Sequence, residues 1–192
     1  RVSNRRVRPR LRCSARMTKR CDHELGRREF FQLTGLGLAA AKLLGGCAPP
    51  ESSDAENQVS ITIEVLAPEG RGPFPVVFTQ TNHRRWGLLA LARGYLVCVY
   101  PGADIDDQSD KFLPVYPECD WARLLRRAWT GSRALDYVLT LPEADGRHVA
   151  IMGHSRNGKQ SLIAAAMDER FTAVISSSSG VGGAVPYRFG SE

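Results

Sequence analysis

The segment best equipped for chemistry is Gly153-His154-Ser155-Arg156-Asn157-Gly158-Lys159. An apolar run, His148 to Gly153, leads into it, and a helical pattern from Asn157 to about Met167 leads out. A serine at such a sharp turn has its hydroxyl lifted clear of the sheet, and it needs small neighbours because strand and helix crowd there. The N–H of Arg156 then lies at a helix N-terminus, where it can donate to a developing oxyanion with the helix dipole assisting. That chemistry is nucleophilic attack on an acyl carbon. The plainer alternative is a serine N-cap on an ordinary βα unit; the strand–turn–helix order favours the nucleophile.

This arrangement is the nucleophile elbow of the α/β-hydrolases, with one departure. Asn157 stands where the second glycine of Gly-x-Ser-x-Gly belongs, and Gly158 comes one residue later. The segment resembles the Gly-x-Ser-Arg-x-Gly-Lys motif of the glucuronoyl esterases (carbohydrate esterase family 15), the bacterial branch in particular. Trp129-Thr-Gly-Ser-Arg-Ala-Leu-Asp-Tyr137 upstream and Ser179-Gly180-Val181-Gly182-Gly183 downstream extend the resemblance over roughly residues 95–190.

The resemblance implies a serine esterase that needs no metal or cofactor and forms an acyl-enzyme. Its substrate would be a glucuronoyl (4-O-methyl-glucuronoyl) ester of a glucuronoxylan-like plant cell-wall polysaccharide. Ser155 would be the nucleophile. Arg156 would stabilise the oxyanion through its backbone and its guanidinium, and Lys159 would reach the uronate hydroxyls. For Arg156 and Lys159 the plainer reading is a solvated first helical turn. Other readings stay open: an acetyl-xylan esterase, a prolyl-oligopeptidase-like hydrolase, or a non-catalytic truncated relic.

The rest of a triad is harder to place. Some family members carry a catalytic Glu just before the Ser-Gly-x-Gly-Gly loop; here that position is Ser178. No His follows Ser155, although hydrolase order demands nucleophile, acid, then His. His23, His83, His148 and His154 each have an ordinary explanation. His83 lies in the loop that often supplies a second oxyanion donor, so pocket lining and plain loop polarity both fit. The expectation is a C-terminally truncated chain whose acid and His lie beyond Glu192, inactive as it stands.

The elements that must position the elbow alternate. Val59–Leu66 has period 2, Pro75–Thr79 and Tyr95–Tyr100 are apolar strands, and Arg85–Arg93 reads as a short helix. Asp120 caps a long amphipathic pattern to about Leu141, and Phe171–Ser176 is a further strand. Strands apolar on both sides call for a parallel sheet covered by helices, so the expected class is a three-layer αβα sandwich of the α/β-hydrolase fold over residues 59–192. Asp104, Asp106, Asp107 and Asp110 lack EF-hand spacing and read as a solvated loop near the mouth of the site.

Ahead of this domain the chain changes character. Residues 1–46 hold 12 of its 26 basic residues and 3 of its 20 acidic ones, so the net charge of +6 describes the leader. With no zinc-knuckle spacing and no basic helix, nucleic-acid binding is not expected. Residues 1–16 read as a disordered basic extension outside the fold, with Met17 a candidate start. Over 17–47, Arg27-Arg28-Glu29-Phe30-Phe31 resembles a twin-arginine export motif, an apolar stretch follows, and Leu44-Gly45-Gly46-Cys47 resembles a lipoprotein box. Export to the periplasm or exterior is expected, with Cys47 as the one membrane anchor; an amphipathic helix over 33–44 is the alternative. Residues 48–58 are a polar linker. Cys98 reads as a core thiol, with a bridge to Cys119 left open.

Overall fold

The computed structural model describes residues 6–7, 10–13, 59–186 and 188. The export, lipoprotein-box and linker segments (17–58) lie outside the described residues. In chain order the strands are β1 (Arg6–Val7), β2 (Arg10–Cys13), β3 (Val59–Thr62), β4 (Glu64–Leu66), β5 (Phe74–Gln80), β6 (Leu96–Tyr100), β7 (Ala144–His154) and β8 (Ala173–Ser177). The α-helices are α1 (Arg84–Leu91), α2 (Arg123–Val138) and α3 (Arg156–Met167).

The main sheet has the order β1-β4-β6-β5-β7-β8. β6, β5, β7 and β8 are parallel, as their apolar sequences imply. At one side of this parallel core β4 runs antiparallel to β6. Only residues 67–73 link β4 to β5. A parallel crossover needs a dozen or more residues, so this link can only reverse the chain.

β6 shows why three layers form. Its five residues are all buried. Val97 and Val99 pack with Leu66, Leu88 and Leu91 under α1. Leu96, Cys98 and Tyr100 face the other way, into a core with Phe78, Leu135, Val138 and Ala164 beneath α2 and α3. Side chains on a strand alternate between faces, so one apolar run feeds both layers. Phe78 is fully buried and meets Tyr100 and Phe171 edge-on, at ring centroid distances of 6.2 and 5.4 Å. Burial of one such ring stabilises by about 1.5–3 kcal/mol.

Three expectations differ in detail. The strand at 59–66 is broken at Ile63 into β3 and β4. The long helix begins at Arg123 with Ala122 as N-cap, and its first turn makes no side-chain cap, so Asp120 does not cap it. Residues 1–16 were expected outside the fold, yet β1 pairs with β4 (Val7 opposite Val65) and β2 pairs with β3 (Leu11 opposite Ile61). The physical reason is that edge strands present unpaired N–H and C=O groups, which an extended segment satisfies through backbone alone, without apolar periodicity. Cys98 is a buried thiol, and no bridge to Cys119 forms. No helix among the described residues is long and apolar enough to cross a membrane.

Candidate active site

β7 ends at His154 and α3 begins at Arg156, so Ser155 alone makes the turn between them. Its backbone sits at φ 55°, ψ −126°, in a region that favours glycine. A non-glycine residue held there costs on the order of 1–3 kcal/mol, which the surroundings must offset. They do so from two sides. The Ser155 N–H donates to the carbonyl of Ser177 on β8 at 2.9 Å, and the Ser155 carbonyl accepts from the Lys159 N–H at 3.0 Å. The side chain of Ser155 is exposed and makes no cap bond to its own helix. Its hydroxyl is therefore presented outward, as the elbow requires.

The tight approach of strand and helix explains the displaced glycine. A Cβ on Gly153 would overlap the Asn157 carbonyl and lie 2.8 Å from Gln80 Oε1. A Cβ on Gly158 would lie 3.0 Å from both Ser176 Oγ and Ser179 Cβ. The second crowded position is thus 158, where α3 passes β8. Position 157 carries a side chain because that side chain has work elsewhere. Asn157 is buried, its Oδ1 accepts from the Ala103 N–H at 2.8 Å, and its Nδ2 donates to His83 Nε2 at 3.3 Å.

Below the elbow lies a buried polar chain. Gln80 Nε2 donates to Tyr100 Oη at 2.7 Å and to Ser161 Oγ at 3.1 Å. Ser161 Oγ in turn donates to the Asn157 carbonyl at 2.8 Å. Gln160 Nε2 also donates to Tyr100 Oη, at 3.2 Å. Burial pushes the Tyr100 phenol up to about 12, so it stays neutral. The chain ties β5 and β6 to the first turns of α3 and holds the turn in register.

The sequence-derived site residues fall as follows. Arg156 is the first residue of α3 and its guanidinium is exposed. Its N–H lies in the first turn, which has no acceptors of its own. Its Nη2 forms an ion pair with Asp104 Oδ1. Lys159 stands one turn on, half-buried. Ser178, just before the Ser179–Gly183 loop, is exposed with φ 44° and directly follows Ser177, which is bonded to Ser155.

The histidines are sorted by geometry. His148 bonds Asp145 at 2.8 Å near the start of β7, roughly 20 Å from Ser155 at ~3.3 Å per residue. His83 and His154 are close to the elbow. His83 stacks on Trp86 (centroids 4.7 Å, 17° between planes), and His154 stands edge-on to both, at 6.0 Å from His83 and 6.3 Å from Trp86. His83 accepts from Asn157 on one nitrogen and bonds the backbone of His154. Burial, partly opposed by that backbone bond, lowers its pKa, so it is neutral at pH 7. With its lone pair engaged, His83 is a brace for the elbow.

The Asp loop is corrected. It is counter-charged rather than merely solvated. Asp107 takes Nε and Nη2 of Arg127 at 2.9 and 2.7 Å, and Asp110 pairs with Arg126 at 2.7 Å and Arg123 at 3.5 Å. Trp86 carried no signal in the sequence, and Asp104 and Asn157 stood out there only as a loop acid and a departure from the glycine pattern. A buried slot at a helix start held by Asn was the one available signal; the partner of Asp104 is 52 residues away.

A family profile described as "Glucuronyl esterase, fungi" matches residues 51–192. The chain belongs to the glucuronoyl esterase family. The carbohydrate esterase MZ0003, from an unknown prokaryotic organism, is 36% identical over 115 residues, covering 52% of this chain and 26% of that protein. The 4-O-methyl-glucuronoyl methylesterase of Hypocrea jecorina is 25% identical over 159 residues, covering 77% of this chain and 34% of that protein. The solved glucuronoyl esterase of Caldicellulosiruptor kristjansonii superposes with a TM-score of 0.61 at 30% identity, covering 72% of this chain and 42% of that one. That of Teredinibacter turnerae gives 0.57 at 26%, covering 70% and 40%. The sheet and its helices are therefore the α/β-hydrolase fold of this glucuronoyl esterase family. The chain spans between about a quarter and two fifths of the length of these relatives.

Proposed function

We propose that the chain carries the nucleophile of a serine esterase acting on glucuronoyl esters of plant cell-wall polysaccharide. The observation that supports this most is Ser155, held at positive φ between β7 and α3 in a glucuronoyl esterase family member. Ser155 Oγ attacks the ester carbonyl and its proton passes to a base. The carbonyl oxygen becomes an oxyanion facing the Arg156 N–H and guanidinium. The C–O bond to the alcohol breaks, the alcohol leaves with a proton, and Ser155 holds the uronoyl acyl group. Water then releases it as a carboxylate. Lys159, one turn along α3, reaches the sugar hydroxyls.

In this reading Ser155 works with a histidine base and a carboxylate, and neither is assigned among the described residues. The leader over 17–47 exports the protein, and Cys47 carries the lipid if an anchor is made.

The test is hydrolysis of methyl glucuronate against acetylated xylan by the intact protein and its Ser155→Ala variant. Release of methanol that disappears with Ser155→Ala supports the reading. Acetate release with methyl glucuronate untouched would replace it with an acetyl esterase, and activity independent of Ser155 would remove it.

A further inference from the structure

Resting on that reading of Ser155 and Arg156, we propose that Asp104 is a positioning residue for Arg156. It sets the site's preference for a neutral ester over the carboxylate product. The starting observation is the ion pair between Asp104 Oδ1 and Arg156 Nη2, both side chains partly open to solvent. An exposed arginine at a helix start samples many rotamers, and a carboxylate beside it selects among them.

Asp104 itself is held. Its second oxygen accepts from Asn82 Nδ2 at 3.4 Å, from the turn that follows β5. The N–H of its neighbour Ala103 donates to Asn157 Oδ1 at 2.8 Å, which fastens the loop after β6 to the first turn of α3. The Asp104 backbone is thus tied, through one residue, to the helix that carries Arg156. The charged and titratable groups around it are Arg156 and His83, the latter feeling Asp104 as a nearby charge.

The second consequence concerns charge. Hydrolysis turns a neutral ester and water into a carboxylate, an alcohol and a proton. A free guanidinium is a bidentate partner for that carboxylate, and would retain it. With Asp104 already on Nη2, one edge of the fork is taken and an anion sits beside it. The single carbonyl oxygen of an ester still finds donors in the backbone N–H and the remaining guanidinium N–H groups. The two-oxygen product meets a filled edge and a like charge. Asp104 thereby orients Arg156 for the oxyanion and speeds loss of the acid.

The experiment is a double-mutant cycle on the intact protein with methyl glucuronate as substrate and glucuronate as inhibitor. Asp104→Asn keeps the shape and removes the charge. It is expected to lower kcat about tenfold through lost orientation and to tighten the Ki for glucuronate about fivefold. Asp104→Ser moves both values in the same directions. In an Arg156→Gln background neither Asp104 change has a further effect. Titration of glucuronate into Ser155→Ala protein, with and without Asp104→Asn, reads the carboxylate preference without turnover. It therefore separates failure of this proposal from failure of the esterase reading. A Ki and a titration unmoved or weakened by Asp104→Asn, or equal effects in both arginine backgrounds, would overturn the proposal.

Discussion

The side-chain amide of Asn157 donates to Nε2 of His83 across 3.3 Å, joining the first turn of α3 to the loop after β5. Its carbonyl oxygen at the same time caps the Ala103 N–H at 2.8 Å. One buried amide thus binds three segments that together frame Ser155. Asn157→Ala leaves two buried or half-buried groups unpaired. The expected cost is about 1–3 kcal/mol, read as a fall in the denaturant midpoint at unchanged slope.

His83 links this brace to pH. Its pKa is lowered in the folded protein, chiefly by burial. Below the unfolded value of 6.5 the unfolded chain binds more protons than the folded one, so folding weakens as pH falls. The contribution is fully present above that value and declines towards the folded pKa. His83→Gln removes this dependence. Unfolding free energies measured between about pH 8 and about pH 5 should fall more steeply for the wild type than for the variant; parallel curves would refute the assignment.

Backbone strain at Ser155 gives a stability prediction with the opposite sign to its functional one. Ser155→Gly relieves the positive φ and is expected to be about 1 kcal/mol more stable than Ser155→Ala. Both variants lose turnover. Differential scanning calorimetry of the two, compared directly, tests this.

The crowded glycines rank in a definite order. Gly153→Ala drives a Cβ into the Asn157 backbone, which cannot move without shifting α3. Gly158→Ala meets Ser176 Oγ and Ser179 Cβ at 3.0 Å and the Gly153 carbonyl oxygen at 3.1 Å, contacts that a shift of a few tenths of an ångström relieves. The first is expected to cost about 3 kcal/mol or more and the second about 1, measured as midpoints of chemical unfolding.

Tyr100→Phe removes the acceptor for both Gln80 and Gln160 while keeping the ring in the core. Two buried amide N–H groups lose their partner, although Gln80 keeps Ser161. A loss of about 1–3 kcal/mol follows. Little change in stability would mean that the amides re-pair.

Much of the fold was legible because its signals are local. A strand apolar on both faces, such as Leu96–Tyr100, and a run such as Val149–Gly153 broken by Ser155 report secondary structure within a few residues. The elbow was readable for the same reason: strand, serine and helix are contiguous, and the alternation of elements implied three layers. Even the departure at Asn157 was visible, though its meaning was not.

What only the tertiary structure decided are relations between distant residues. Sequence cannot assign Asp104 to Arg156, Asp107 to Arg127 or Asp110 to Arg126, because any carboxylate can pair with any guanidinium and only the folded distance selects. Nor does side-chain periodicity report the antiparallel turn of β4 or the pairing of Arg6–Val7 and Arg10–Cys13, which depend on backbone groups common to every residue. The turn that carries Ser155 was written in one short stretch of chain; the groups that hold it were brought there by folding.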